Sequence, residues 1–165
     1  MKINDDHLYH GAALTQIAEH PSFKAINAYA QNGVRSRSAF LINTDIGIYL
    51  KYASEAVGAY DEFIFTFHQH HLKELSELVD KTAKVFVGLV CISERHICCL
   101  AYETLLSMIK ARQRENGGPE NSYTVLVTLK KGQRFRAYMS IPGRKKMKMC
   151  EQIIPRDDFP DCVFS

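Results

Sequence analysis

Lys51 is the residue of this chain whose type and setting most plainly invite chemistry. It sits near the end of the apolar segment Ile46 to Tyr52, where period-2 alternation puts Gly47, Tyr49 and Lys51 on one face and Ile48, Leu50 and Tyr52 on the other. An ammonium on such a strand must be solvated, snorkelled or paired, because bare burial is costly or shifts its pKa. One reading is a lysine with its stem laid on apolar neighbours. The other is a candidate catalytic group, with Tyr49 beside it. His7 and His10, three apart on a first helix, could face the Tyr49 and Lys51 side as acid–base groups, which makes His10 a third candidate.

Other polar clusters carry less. His68, His70 and His71 open an amphipathic segment where polar residues are expected, and two histidines a turn apart without an acid or cysteine make a poor metal site. Asp45 stands in a turn next to the Lys51 strand, where a metal role competes with ordinary turn geometry. Cys91, Cys98, Cys99, Cys150 and Cys162 are odd in number and form no CxxC pair, and three of them lie in apolar runs. They are expected as reduced thiols in a cytoplasmic protein. Neither a GxSxG elbow nor a glycine-rich phosphate loop is present.

The elements that must position these groups follow from periodicity and turn chemistry. Ala39 to Ile42 and Ile46 to Tyr52 flank Asn43, Thr44 and Asp45 and predict a β-hairpin. Asp5 or Asp6 is placed to cap a first helix through Ala18. Phe23, Ile26, Asn27 and Ala30 recur at helical spacing and predict a second, stopped by Asn32-Gly33. Phe63, Phe65 and Phe67 alternate as a strand. His68 to Asp80 sets Leu72, Leu75, Leu78 and Val79 on one helical stripe, and Val85 to Ile92 reads as a strand covered on both faces. A short strand, Ile97 to Ala101, and a helix, Tyr102 to Ala111, complete this part. Beyond the loop Gln113 to Ser122, YTVLVTL and FRAYMSI flank Lys130-Lys131-Gly132-Gln133 as a second hairpin, and the basic tract Arg144 to Lys148 leads into an irregular tail.

Read in order, residues 8 to 111 resemble the core of the restriction-endonuclease-like, or PD-(D/E)xK, nuclease superfamily: a helix, strands, and a further strand reached through a helical crossover. That family holds a divalent metal between two acids and uses a lysine to activate water or steady the phosphate. The resemblance puts Lys51 at the family lysine, Tyr49 where the second acid belongs and Ser38 near the first, so both carboxylates are missing. A phenol with a reference pKa near 10 is no magnesium ligand at neutral pH. The resemblance therefore implies a degenerate nuclease-like domain that requires no cofactor. Magnesium is implied only if relocated acids, drawn from Glu19, Asp45, Glu55, Asp61 and Glu62, keep a nuclease active.

The chain's charge points the same way. Residues 1–109 hold 9 basic and 12 acidic side chains, a balance of −3, whereas residues 110–165 hold 12 and 6, a balance of +6. Arg134, Arg136, Arg144, Lys145, Lys146 and Lys148 interleave with Phe135 and Tyr138, a composition suited to phosphate contacts with occasional stacking. With 46% hydrophobic and 24% charged residues and no apolar run near the about 18 residues a membrane span needs, a soluble globular protein without a membrane partner is expected. The acidic N-terminal residues are not those of a signal peptide. The expectation is a single α/β domain over residues 1–165 with a mixed sheet. Its nuclease-like core spans 1–112, and a basic β-hairpin and tail over 120–165 pack on it. Its expected partner is DNA or RNA. A rival expectation is an interaction subunit that dimerises through an exposed sheet edge.

Overall fold

A computed structural model describes all of residues 1–165. The elements run α1 (Asp5–Glu19), β1 (Ile26–Gln31), β2 (Val34–Ile42), β3 (Ile46–Ala53), β4 (Phe63–His68), α2 (Gln69–Lys81), β5 (Lys84–Cys91), β6 (His96–Ala101), α3 (Tyr102–Asn116), β7 (Ser122–Thr128), β8 (Phe135–Ile141), β9 (Arg144–Ile154) and α4 (Asp161–Phe164). They form an α/β protein with a mixed five-stranded sheet, β1-β2-β3-β5-β6, and an antiparallel four-stranded sheet, β4-β7-β8-β9.

The β2–β3 hairpin forms as its alternation requires, with Ala39 opposite Tyr49 and Ile42 opposite Ile46. Asn43 and Thr44 take positive φ, and the Asn43 side chain accepts from the Lys24 and Ala25 N–H groups while donating to Ser22 O, so the turn clasps the segment after α1. The crossover through α2 returns β5 parallel to β3, with Ile46 opposite Lys84 and Ala53 opposite Cys91. Val85, Val87, Leu89 and Cys91 of β5 are buried, as a central strand demands.

Two cores follow from the two faces of the first sheet. Tyr49, Val87 and Leu89 face Phe63, Phe65 and Phe67 of the second sheet, closed by Leu75 and Leu78 of α2 and Leu105 and Met108 of α3. Ile48, Leu50 and Val90 face Ala13 and Ile17 of α1 and Val163 of α4. α2 approaches β3 so closely that a Cβ on Gly47 would lie 2.6 Å from Leu78 Cγ.

Several expectations are corrected. The helix predicted after Ser22 is instead strand β1: Asn32 and Gly33, at φ 52° and 78°, make a hairpin turn into β2 and do not end a helix. α1 is capped by Asn4, whose side chain accepts from His7 N, and not by Asp5 or Asp6. β4 leaves the first sheet and pairs with β7, Phe63 opposite Val127, so the 1–112 and 120–165 parts share a sheet. The basic tract is itself the start of β9, an edge strand of 11 residues.

Candidate functional site

Lys51 occupies β3 between β2 and β5, with Phe67 of the other sheet beneath it at 5.3 Å from the ammonium to the ring centroid. It forms none of the four ion pairs of the molecule, and burial lowers its pKa. Tyr49 is buried two residues earlier, with Ser38 and the Glu74 carboxylate flanking its hydroxyl; burial first, then the Glu74 charge, raises its pKa. The Tyr49 ring meets His71 edge-on at 6.2 Å. Burial, helped by the charge of Lys51, holds His71 neutral with its pKa pushed down to about 4. His71 Nδ1 accepts the His68 N–H at 3.0 Å, so the neutral ring carries its proton on Nε2.

Ser38 joins this group because β2 bulges. Pairing with β1 steps from Ala28 opposite Phe40 to Ala30 opposite Arg35, and within the bulge Ser36 Oγ accepts the Ser38 and Ala39 N–H groups. A cavity of about 490 Å³ opens there between β1, β2, β3 and α2, lined by Arg35, Arg37, Ser38, Tyr49, His71 and Glu74 among others.

The remaining sequence candidates lie elsewhere. His10 is buried on the other face of the first sheet, where Nδ1 donates to Arg37 O at 2.9 Å and the ring stands edge-on to Tyr52, so it does not share the Tyr49 side as expected. Burial lowers its pKa. Asp45 is exposed in the β2–β3 turn, six positions from Lys51 and hence about 20 Å away along the strand, while its carbonyl anchors Ala83 and Lys84. It cannot share a metal ion beside Lys51. Glu19 is exposed at the C-terminal end of α1, and Glu62 is engaged by the Tyr138 hydroxyl. No three His, Cys, Asp or Glu side chains are placed to share a metal ion.

The basic residues divide along β8 and β9. Arg144, Lys145, Lys146 and Lys148 are exposed on β9 and belong to no ion pair. Lys148 stands 4.5 Å over the Tyr138 ring. Arg136 is neutralised by Glu151 at 3.1 Å, and Arg134 is exposed just before the far end of β8. Phe135 and Tyr138 are 0% and 2% exposed, so neither can stack on a base as expected. Beside the basic tip lies an open groove of about 1030 Å³ with Ile64 and Leu126 on its floor and Lys145, Lys146 and Met147 on its rim. Arg112 braces this rim, pairing with Glu120 at 2.7 Å and donating to Ser140 O.

Register brings the two regions to one end of the second sheet. His68 pairs with Ser122, and Ile141 pairs with Arg144, while Leu126 opposite Tyr138 sets Ser122 beside the end of β8. Three inter-strand steps of about 4.8 Å therefore separate the histidine cluster from the basic tip by about 14 Å.

All five cysteines are free, and no helix is long and apolar enough to cross a membrane. No family model, curated protein or solved structure matches the chain.

Proposed function

We propose that this protein binds nucleic acid through the phosphate backbone, as a degenerate restriction-endonuclease-like domain that has lost ordinary metal-dependent cleavage and works in the reducing cytoplasm. The observation that carries the reading is the β9 tip. Arg144, Lys145, Lys146 and Lys148 fall within five residues of an edge strand, all exposed and none ion-paired. Four unneutralised cations on one extended strand suit the regular charge of a phosphate backbone, and the adjoining groove gives a strand room to lie. With Phe135 and Tyr138 buried, the contacts are with phosphates and not with bases, so binding is tolerant of sequence.

The nuclease-like part of the proposal draws on the helix, antiparallel hairpin and helical crossover to a parallel strand. Loss of cleavage draws on residue identity, with Ser38 and Tyr49 where the family has acids and Asp45 at the wrong end of β3. Fluorescence anisotropy with duplex DNA and single-stranded RNA of unrelated sequences tests the binding. The wild type is expected to bind all probes comparably, and Arg144→Ala/Lys145→Ala/Lys146→Ala/Lys148→Ala to weaken every one. Intact labelled duplex after incubation with magnesium or manganese is expected, and metal-dependent cleavage would overturn the degenerate reading. Absence of association, with a dimer in sedimentation, would put the edge-strand interaction subunit in its place.

A further inference from the structure

We propose that the cavity between the β2 bulge and α2 is a binding site for a nucleoside monophosphate, taken either free or as the phosphorylated end of a strand. The site is separate from the β9 tip and does not depend on it.

The first observation is a polar group left without a partner. Tyr29 of β1 lines this cavity and is 3% exposed, and its hydroxyl is the one buried side-chain polar atom in the molecule with no hydrogen-bond partner. Buried hydroxyls are nearly always satisfied, so this orphan marks an unmet hydrogen bond in the wall of the cavity, one that a ligand seated there takes up when the ring turns towards it.

The second observation is the chemistry of the wall built by the bulge. Arg35 and Arg37 line the cavity, are exposed and form no ion pair. Ser36 Oγ already accepts two backbone N–H groups, which leaves its hydroxyl hydrogen to donate. His71, with Nδ1 occupied, has its Nε2–H to give. Two guanidinium groups with additional donors match an acceptor-only group, and phosphate, which has more acceptor oxygens than a carboxylate, can engage both guanidinium groups and the further donors at once.

The α2 wall has the opposite character. Glu74 and Glu77 line the same cavity, so a bare anion fits only half of it. The ligand that satisfies both walls has an anionic end and an end bearing N–H donors. A cavity of about 490 Å³ accommodates such a molecule at nucleotide size, within the usual range of small-ligand sites. Guanine, which presents N1–H and N2–H together to one carboxylate, suits the acidic wall better than thymine does.

Isothermal titration calorimetry on the full chain tests this with dGMP, dTMP, deoxyguanosine and inorganic phosphate as probes. Saturable dGMP binding is expected, tighter than that of dTMP, with deoxyguanosine and phosphate each far weaker. Arg35→Ala/Arg37→Ala should weaken dGMP about tenfold or more, and Tyr29→Phe, which keeps the ring, about fivefold. Glu77→Gln should narrow the gap between dGMP and dTMP. Lys145→Ala/Lys146→Ala should leave dGMP binding unchanged, so the two sites fail independently. In the Arg144→Ala/Lys145→Ala/Lys146→Ala/Lys148→Ala background, where the β9 tip no longer holds a strand, a short single strand that binds only when 5′-phosphorylated, with affinity lost on adding Arg35→Ala/Arg37→Ala, identifies the strand end as the source; binding of dGMP but of neither strand identifies the free nucleotide. No heat with dGMP up to about 5 mM, corresponding to no useful affinity, would overturn the proposal. Deoxyguanosine binding as tightly as dGMP, or dGMP binding that survives both Arg35→Ala/Arg37→Ala and Tyr29→Phe, would overturn it equally.

Discussion

Replacing Lys51 by methionine should make the protein more stable. The lysine holds its charge half-buried on β3 with no carboxylate partner, and the compensation visible is the Phe67 ring 5.3 Å from the ammonium. Such a cation–π contact is worth about 0.5–1 kcal/mol near solvent. Partial dehydration of an unpaired ammonium costs more than that, about 2 kcal/mol after allowing for solvent screening at this half-exposed site. Methionine keeps the stem's packing on Phe67 and removes the charge, so the net gain is about 1 kcal/mol, or about 2–4 °C in Tm for a domain of this size. The sign with pH follows from the direction of the shift. Burial lowers the folded-state pKa of Lys51, so the unfolded chain binds the extra proton between that lowered value and the ordinary lysine range. The lysine's penalty is therefore fully present at neutral pH and fades as pH rises through that window, and the advantage of Lys51→Met should shrink with it. Urea unfolding of both proteins from pH 7 to 10 measures this. Because Lys51 also holds down the His71 pKa, the variant should raise the His71 value above about 4 in an NMR titration. A variant less stable than wild type by 1 kcal/mol or more, roughly the loss of a net-favourable buried contact, would refute the reasoning.

Gly47→Ala should destabilise by about 1–3 kcal/mol in urea, because its Cβ would sit 2.6 Å from Leu78 Cγ in the α2–β3 contact; an unchanged midpoint would show that Leu78 can move aside. Acid should weaken the fold in a defined window. His71 and His10 are both held below the ordinary histidine pKa by burial, so their contribution is present above about 6.5 and is lost as pH falls towards the His71 value of about 4. Urea midpoints compared at pH 7.5 and 4.5 should differ less in His71→Gln than in the wild type.

The elements most legible in the sequence are those whose pattern allows one answer. The alternation of Ile46 to Tyr52, the Leu72–Val79 stripe and the unbroken run from Val85 each fix a strand or helix, and the hairpin and crossover that position Lys51 follow from them. Asn32-Gly33 admits two readings, a helix stop or a tight hairpin turn. The spacing of Phe23, Ile26 and Ala30 favours the first, and pairing of Ile26 with Ile42 across the sheet decides for the second. β9 hides because its start is lysine-rich, a property of edge strands that hydrophobic periodicity does not register. The departure of β4 to pair with β7 is a contact between residues 54 to 64 positions apart, which no local pattern encodes. Hairpin register sets Ala39, not Ser38, opposite Tyr49; Ser38 joins it only through the β2 bulge, Glu74 and His71 only through the way α2 lies across the sheet, and Tyr29 only once β1 is a strand. The Asn-Gly turn was the one available signal for Tyr29.

The salt dependence of duplex binding tests the central claim most directly. If Arg144, Lys145, Lys146 and Lys148 each neutralise a phosphate, the log of the affinity should fall against the log of salt concentration with a slope of about −3 to −4, at about −0.9 per contact. The fourfold alanine variant should lose most of that slope along with its affinity, for every sequence alike. Failure of the wild type to associate at about 50 mM salt, or a variant that keeps the wild-type slope, would contradict the account.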